Sequence, residues 1–503
     1  MPSLWVVVFI ASYLAYLVVL ALYRLYLSPI AHFPGSKITA VSGWYETYLD
    51  VFKGGQFTFQ IQKWHEQYGP IIRINPTEIH ISDPDFHDIV YSSSAPFNKL
   101  PAFRDRFGIP TAVISTVDHE LHHRRRVALN PCFSKKRISD FCPYIQQRAE
   151  RLCNKLLLEY KGTSKVVTLN DAWAAYVTDN VMFYTLALTP DFLDLPDFVA
   201  PYTESTRELV SSTHFVGHFP WVLKALQSMP EALSGVINPA MRPIFKFHNE
   251  IKAQIIKIMT GENEAHKSVS HRTVLSSLLT SNLPPQELSV TRLQQEALGI
   301  VGAAIETTKA SLTLASFHIL DNPEIFRRLR QELKEAFPDP TRPPTLTQLE
   351  GLPYFTAVIQ EALRLSYGVT QRLPRVCPHT CIQYNDTYTI PPNTPFGMSA
   401  YLMHHSPSIF PDSHTFNPDR WLNNPKTVHG KPLSRYLVSF SKGTRMCVGV
   451  HFAWAELYLG LANVFRRVDF ELFETGKEDV EMASEFFVPR PKAGSKGVRA
   501  VVK

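Results

Sequence analysis

The chain is short of cysteine: six in 503 residues, at Cys132, Cys142, Cys153, Cys377, Cys381 and Cys447. They form no disulfide framework and no paired C-x-x-C sites, which excludes a stapled secreted scaffold and suits a reducing compartment. Charge is scarce too. Charged residues make up 19% of the chain and the net charge is +6, too mild for a nucleic-acid binder. No internal repeat occurs, so a solenoid is excluded. Between Leu4 and Tyr23 there is no charged residue at all.

That uncharged run spans about 30 Å as a helix, enough to cross a hydrocarbon core. It is longer than the apolar part of a secretory signal and no Lys or Arg precedes it. Residues 1–27 therefore read as a membrane anchor. Arg24 and Lys37 follow it, which puts the body, residues 28–503, on the cytosolic side. Pro29, Pro34 and Gly35 read as a stiff hinge between the two. The sequon Asn385-Asp386-Thr387 should then be inert. A hydrophobic content of 45% allows a substantial core. Thirty-eight prolines, many after residue 336, mark a long non-helical region late in the chain.

The pattern predicts helices over 56–68, 141–160, 170–188, 285–320, 323–337 and 353–366, and after Gly449. Short strands are expected at 71–74, 78–81, 372–376, 384–390, 396–399, 468–472 and 486–490. The aromatic-rich stretch 190–260, with Phe192, Tyr202 and Phe219, reads as two helices and a loop, the second helix from Pro239 to Thr260. Residues 261–270 read as a polar surface loop. The stretch 95–116 is irregular yet apolar, through Phe97, Phe103, Phe107 and Ile109. It is either a loop packed on the core or a lid over an apolar ligand.

Three stretches carry chemistry. The first runs from Phe440 to Gly449, FSKGTRMCVG, and delivers Cys447 to the start of a helix. Free backbone N–H groups there favour a thiolate. Gly443 and Gly449 permit backbone positions or close approaches that a side chain would block. Arg445 adds a cation and Phe440 an apolar wall. A lone thiol of this kind could be a haem ligand, a nucleophile or an inert core group. The second stretch is Gly302 to Thr308, GAAIETT, within the long helix. Small residues sit beside Glu306 and two threonines, and Thr307 could bond the carbonyl of Ala303 and open the helix locally. The third is His119-Glu120-Leu121-His122-His123, which matches the zinc-protease pattern H-E-x-x-H. Arg124, Arg125 and Arg126 follow at once, a poor neighbourhood for a dication, and no further His completes the longer motif.

The spacing F-x-x-G-x-R-x-C-x-G at Phe440–Gly449 resembles the haem-binding loop of the cytochrome P450 family. So do A-[A]-x-E-T-T at Ala303–Thr308, with Ala304 where the family usually has Gly, E-x-x-R at Glu361 and Arg364, and F-x-P-x-R at Phe416–Arg420. The motifs occur in the family's order over residues 30–490. His65–Ile81 and Arg124–Ser134 are most similar to fungal microsomal biosynthetic oxygenases of the trichodiene oxygenase kind. The resemblance implies a mainly α fold with a small β region, a single large haem domain on an N-terminal transmembrane helix. It implies haem b with Cys447 as axial iron ligand. Arg445, Arg126, Arg375 and His122 would meet the haem propionates, with Arg372 a competitor of Arg375, and Phe440, Gly443 and Gly449 would shape the loop. Thr307 and Glu306 would deliver protons for oxygen activation. Glu361, Arg364 and Arg420 would form a buried structural triad. The 95–116 and 190–260 stretches would cover the pocket.

The implied activity is hydroxylation or epoxidation of a lipophilic secondary metabolite, terpenoids among them. It would use O2 and electrons from NADPH through NADPH–cytochrome P450 reductase, with cytochrome b5 as an optional second donor, at the endoplasmic reticulum membrane. Two rivals are a haem-thiolate isomerase or dehydratase that uses no O2, and a zinc metalloprotease through His119 and His123.

Overall fold

The computed structural model of the chain describes residues 2–200, 210–239, 241–262, 271–339 and 342–503. Tyr202 and residues 263–270 of the expected polar loop lie outside this set. Helix α1 (Pro2–Leu22) opens the chain, and its helical course continues to Leu27. It is apolar throughout and projects from the body, with Leu4–Leu27 long enough to cross a membrane. At its foot the Arg24 guanidinium donates to the Val41 carbonyl at 2.6 Å. The Pro29–Gly35 segment is no free hinge. Ile30 and Phe33 are buried in the core, because their side chains gain more from burial than a loose linker would allow.

Helix α2 (Phe57–Tyr68) leads into strands β1 (Ile71–Arg73) and β2 (Ile79–Ile81). After β3 (Asn98–Lys99) comes α3 (His119–Leu129), capped by the Asp118 carboxylate, which accepts from Leu121 N at 2.7 Å. A side-chain oxygen at this position satisfies a helix-end N–H that would otherwise be orphaned. Helix α4 (Lys135–Lys155) starts six residues before the expected Phe141 and carries Pro143 inside it. Its apolar stripe, Ile138, Phe141, Ile145, Ala149 and Leu152, is buried and outweighs the one backbone bond lost at proline.

Helix α5 (Leu169–Leu186) is buried on nearly every face. The roof that follows is more broken than the sequence suggested. It contains α6 (Thr213–His218), two short helices at Pro220–Ser228 and Glu231–Ile237, and then α7 (Met241–Met259). Pro220 and Pro230 account for the breaks, since each removes an N–H and restricts its predecessor.

Helix α8 (Val290–Asp321), 32 residues long, is the central rod. The expected start at Pro285 is instead a short 3-10 turn, Pro285–Leu288. Trp173 of α5 donates to Ser316 of α8 at 3.0 Å. Helix α9 (Pro353–Ser366) and α10 (Val450–Arg467) complete the core. The five-stranded sheet runs β1-β2-β5-β4-β3, where β4 is Arg375–Val376 and β5 Pro395–Gly397. Near the C-terminus the expected strand at 486–490 is a hairpin of β6 (Ser484–Phe486) and β7 (Val488–Arg490), with Phe487 at its tip in a left-handed conformation, φ 70°.

Candidate functional site

The cysteine loop is built from backbone bonds. Phe440 O accepts from Cys447 N at 2.9 Å, and Gly443 O from Met446 N at 3.1 Å. Gly443 sits at φ 73°, and a Cβ there would lie 2.3 Å from Tyr91 O and 2.4 Å from Ser92 O. No other residue fits without moving backbone. Gly449 differs from expectation: its backbone is ordinary, and a Cβ would meet only the Cys447 sulfur at 4.0 Å. Its N–H donates to that sulfur. Burial raises the thiol's pKa, against the Gly449 N–H and Arg126, which lower it. The helix end alone therefore does not ionise this thiol, whereas coordination to a metal would. Phe440 packs beside Trp454, ring centroids 6.4 Å apart.

A cluster of cations lies next to this loop. It contains Arg445, Arg126 and Arg375, as expected, and Lys99, which sequence reasoning missed. Lys99 Nζ donates to Ile114 O at 2.5 Å, and Arg445 donates to Thr116 O and Val117 O, each at 2.7 Å. Arg375 donates to Leu373 O at 3.0 Å and Arg126 to Asn130 at 2.6 Å. Arg445 Nε is buried with no partner. Among the described residues none of the four cations makes an ion pair. Burial pushes the Arg445 pKa down to about 9, with Arg375 adding to the effect, and pushes Lys99 well below its usual range. His122 is buried against them and is held neutral, its pKa lowered to about 2 by burial and then by Arg445. Arg375 is buried and the other three cations are half-buried, and the only carboxylates that act on the group, Asp118 and Glu296, do so from beyond ion-pair distance. The cluster is therefore short of negative charge, and burial makes that shortage unfavourable. An anionic partner of more than one charge would suit them.

Arg372, the competitor of Arg375, is committed elsewhere: it pairs with Glu46 at 2.5 Å and Glu78 at 2.7 Å. The only sequence signal for Lys99 was a lysine set in an apolar stretch.

On α8, Gly302 and Ala303 are exposed in the middle of a core helix. A Cβ at Gly302 would meet nothing within 4 Å. Thr307 Oγ1 donates to Ala303 O at 2.9 Å, as expected. Glu306, beside Thr307, is ion-paired. Lys309 lies 2.6 Å from its carboxylate and Arg490 of β7 lies 3.8 Å away.

The buried triad is present. Glu361 pairs with Arg364 at 2.7 Å and with Arg420 at 3.0 Å, and accepts from Trp421 Nε1 at 2.8 Å. Both Glu361 and Arg364 are fully buried. Arg364 also donates to His404 O and Ser413 O. It thereby ties α9 to the segment that precedes the cysteine loop.

His119 and His123 lie one turn apart on α3, ring centroids 6.4 Å apart. No Asp, Glu or Cys joins them in a three-ligand group among the described residues.

The site thus offers a thiol on a glycine-shaped loop, a cationic cage beside it, and a helix face stripped of side chains. A dianionic, flat, iron-bearing group fits that donor set, with the cage for its carboxylates, and haem is such a group.

The family described as Cytochrome P450 matches residues 44–496. The chain is 42% identical over 508 residues to a cytochrome P450 monooxygenase of Eupenicillium brefeldianum, covering 100% of both chains. It is 42% identical over 496 residues to one of Ascocoryne sarcoides, covering 96% of each chain. It is also 40% identical over 487 residues to a tryptophan 6-hydroxylase of Fusarium equiseti, covering 96% of this chain and 94% of that one.

Proposed function

Since the chain belongs to the cytochrome P450 family and is a haem-dependent monooxygenase supplied by a redox partner, we propose that Cys447 is the axial ligand of its haem b. Lys99, Arg126, Arg375 and Arg445, with neutral His122, hold the propionates. The observation that carries this assignment is the anion-free cluster of four cations beside an accessible thiol. When bound, the haem supplies oxygen activation, with electron donation from the thiolate favouring O–O cleavage.

The chain's own residues do the rest. The Gly449 N–H holds the sulfur by a hydrogen bond. Gly302 and Ala303 keep side chains out of the space beside α8. Thr307 rests with its proton on Ala303 O and can turn to donate it into that space. Glu306 acts behind it, as a carboxylate held by Lys309 and Arg490, and its ion pairs must loosen for a proton to pass.

The substrate is a lipophilic metabolite, with terpenoids among the candidates. Phe103, Phe107 and Ile109, and the hairpin tip Phe487, give the covering loop an apolar inner surface. The donor is NADPH–cytochrome P450 reductase, with cytochrome b5 as a second route. Under 18O2, with reductase, NADPH and a panel of terpenoids and lipophilic acids, each hydroxylated or epoxidised product should carry one 18O per oxidation. Product oxygen drawn only from labelled water would contradict a monooxygenase.

The anchor is residues 1–27, holding a cytosolic domain, residues 28–503, at the endoplasmic reticulum membrane. The apolar Leu4–Leu27 helix, which touches the body only at its foot around Arg24, supports this. Deleting residues 2–27 should move most of the protein from the membrane to the soluble fraction with its haem spectrum intact. A deletion that instead abolished folding would make the segment part of the core.

A further inference from the structure

Under the roof, side chains from three distant parts of the chain meet in one buried network. Asp50 comes from the helical turn Tyr48–Phe52 after the anchor, His214 and His218 from α6, and Glu485 from β6. Asp50, His214 and Glu485 are each only 2% exposed. One ligand atom of each, a carboxylate oxygen or a ring nitrogen, lies within 4.8 Å of the other two. None of the three serves the haem chemistry.

The two ring nitrogens of His214 have different tasks. Nε2 is hydrogen-bonded to the Glu485 backbone carbonyl. A carbonyl only accepts, so Nε2 carries the proton. The neutral imidazole then turns its Nδ1 lone pair toward Asp50 Oδ2, 3.4 Å away. Two acceptors face each other, and something positive has to lie between them. A proton there would draw them to about 2.7–2.9 Å, the usual length of a charge-assisted N–H···O bond. The separation is instead that of two ligands on one tetrahedral ion, about 3.3 Å for metal–ligand bonds of about 2.0–2.1 Å. The Glu485 carboxylate approaches the same imidazole, with Oε2 3.7 Å from Nε2.

Asp50 has capacity to spare. Its Oδ1 is buried with no hydrogen-bond partner. Its Oδ2 also lies 3.4 Å from His218 Nε2, and His218 Nδ1 lies 3.0 Å from the Thr47 hydroxyl. A carboxylate oriented from behind in this way is characteristic of a metal ligand.

The charges point the same way. Among the described residues, the carboxylates of Glu46, Asp50, Glu78 and Glu485 form one interacting set with the guanidiniums of Arg106 and Arg372. Arg372 is shared by Glu46 and Glu78. With neutral histidines, four carboxylates stand against two cations, and burial makes that shortage of two positive charges unfavourable.

We propose that Asp50, His214 and Glu485 bind a divalent transition-metal ion of the zinc type, with His218 orienting Asp50. An imidazole nitrogen and two carboxylates suit zinc, and the ion's two charges make up what the network lacks. The ion fastens the roof helix α6 to the β6–β7 hairpin and to the segment after the anchor. His214 and Glu485 are 271 positions apart in the chain, and a clip across so long a loop gains correspondingly in stability.

The test uses the untagged full-length holoenzyme, stripped with a chelator and titrated with zinc chloride while bound zinc and melting temperature are followed. One zinc per chain should bind in addition to the haem iron and raise the melting temperature. Asp50→Asn, His214→Gln and Glu485→Gln should each weaken zinc binding about tenfold or more and lose that rise, with the carbon monoxide spectrum retained. Replacing His119 and His123 together by alanine should leave both readouts unchanged. Zinc-edge X-ray absorption of the loaded wild type needs no variant and should show oxygen ligands with one imidazole. A wild type that takes up no stoichiometric zinc would overturn the proposal and leave protons on His214 and His218 to balance the network. So would zinc binding that survives the Asp50 and Glu485 variants or is lost with His119 and His123, and so would an absorption spectrum showing sulfur or two imidazoles.

Discussion

Thr307→Ala should keep the haem, the carbon monoxide spectrum and substrate affinity while product per NADPH falls steeply, with the missing electrons released as hydrogen peroxide. Mid-helix threonine is mildly unfavourable through its branched Cβ, and here it faces a groove lined by Gly302, Ala303 and Ala304. The hydroxyl donates its proton in a hydrogen bond to the Ala303 carbonyl, oxygen to oxygen 2.9 Å. A rotation about χ1 would free that proton for the groove, and a water could then reprotonate the oxygen. General acid–base help of this kind typically contributes about 10²–10⁴ in rate. Thr307→Ser keeps a hydroxyl at the same carbon and should retain much of the coupling. Parallel measurement of NADPH consumed, product and hydrogen peroxide decides it. Full coupling in Thr307→Ala would remove Thr307 from proton delivery and leave a substrate hydroxyl or ordered water to act.

Cys447→Ser should lose the thiolate-type haem spectrum altogether, and most of the purified variant should carry no haem. A serine hydroxyl is a poor iron ligand, and the rest of the site cannot hold the group by itself. The variant should also unfold more readily. Haem binding lends stability to the native state in proportion to its occupancy. Without haem, Lys99, Arg126, Arg375 and Arg445 are left together with no anion between them. Raising the salt concentration should narrow the stability gap between variant and wild type, because ions screen repulsion among partly exposed cations. Haem content by pyridine haemochrome and melting temperature at two salt concentrations check both parts. A Cys447→Ser protein with full haem and unchanged stability would move the ligand elsewhere.

What the sequence disclosed was local. The Phe440–Gly449 loop, the Ala303–Thr308 groove and the Glu361–Arg364 pair are short strings whose spacing is set by one turn or one helix face. Gly443, the Thr307–Ala303 bond and the Glu361–Arg364 pair took their expected shape, while Gly449 has an ordinary backbone. Helix boundaries slipped where packing overrode a local rule, as at Pro143 inside α4, or where prolines cut the roof into shorter pieces. The misread charges were those with distant partners. Arg372 is held by Glu78 and Glu46, 294 and 326 positions away in the chain, so nothing near it signalled that it was committed. Glu306 has a partner one turn on, Lys309, and a second, Arg490, that reaches it only through the C-terminal hairpin. Lys99 sits in a stretch whose apolar pattern drew attention away from its cations. Its meaning lies in the carboxylate that it and its neighbouring arginines lack, and that is visible only when the whole cluster is assembled.

The central claim is a haem held by Cys447 in a cage of unpaired cations. The most direct measurement is the absorbance spectrum of the purified full-length protein, reduced and exposed to carbon monoxide, with metal content determined on the same sample. The account predicts one iron per chain as b-type haem and a Soret band red-shifted in the manner of thiolate ligation. A haem with an unshifted Soret band, or stoichiometric zinc without haem, would contradict it.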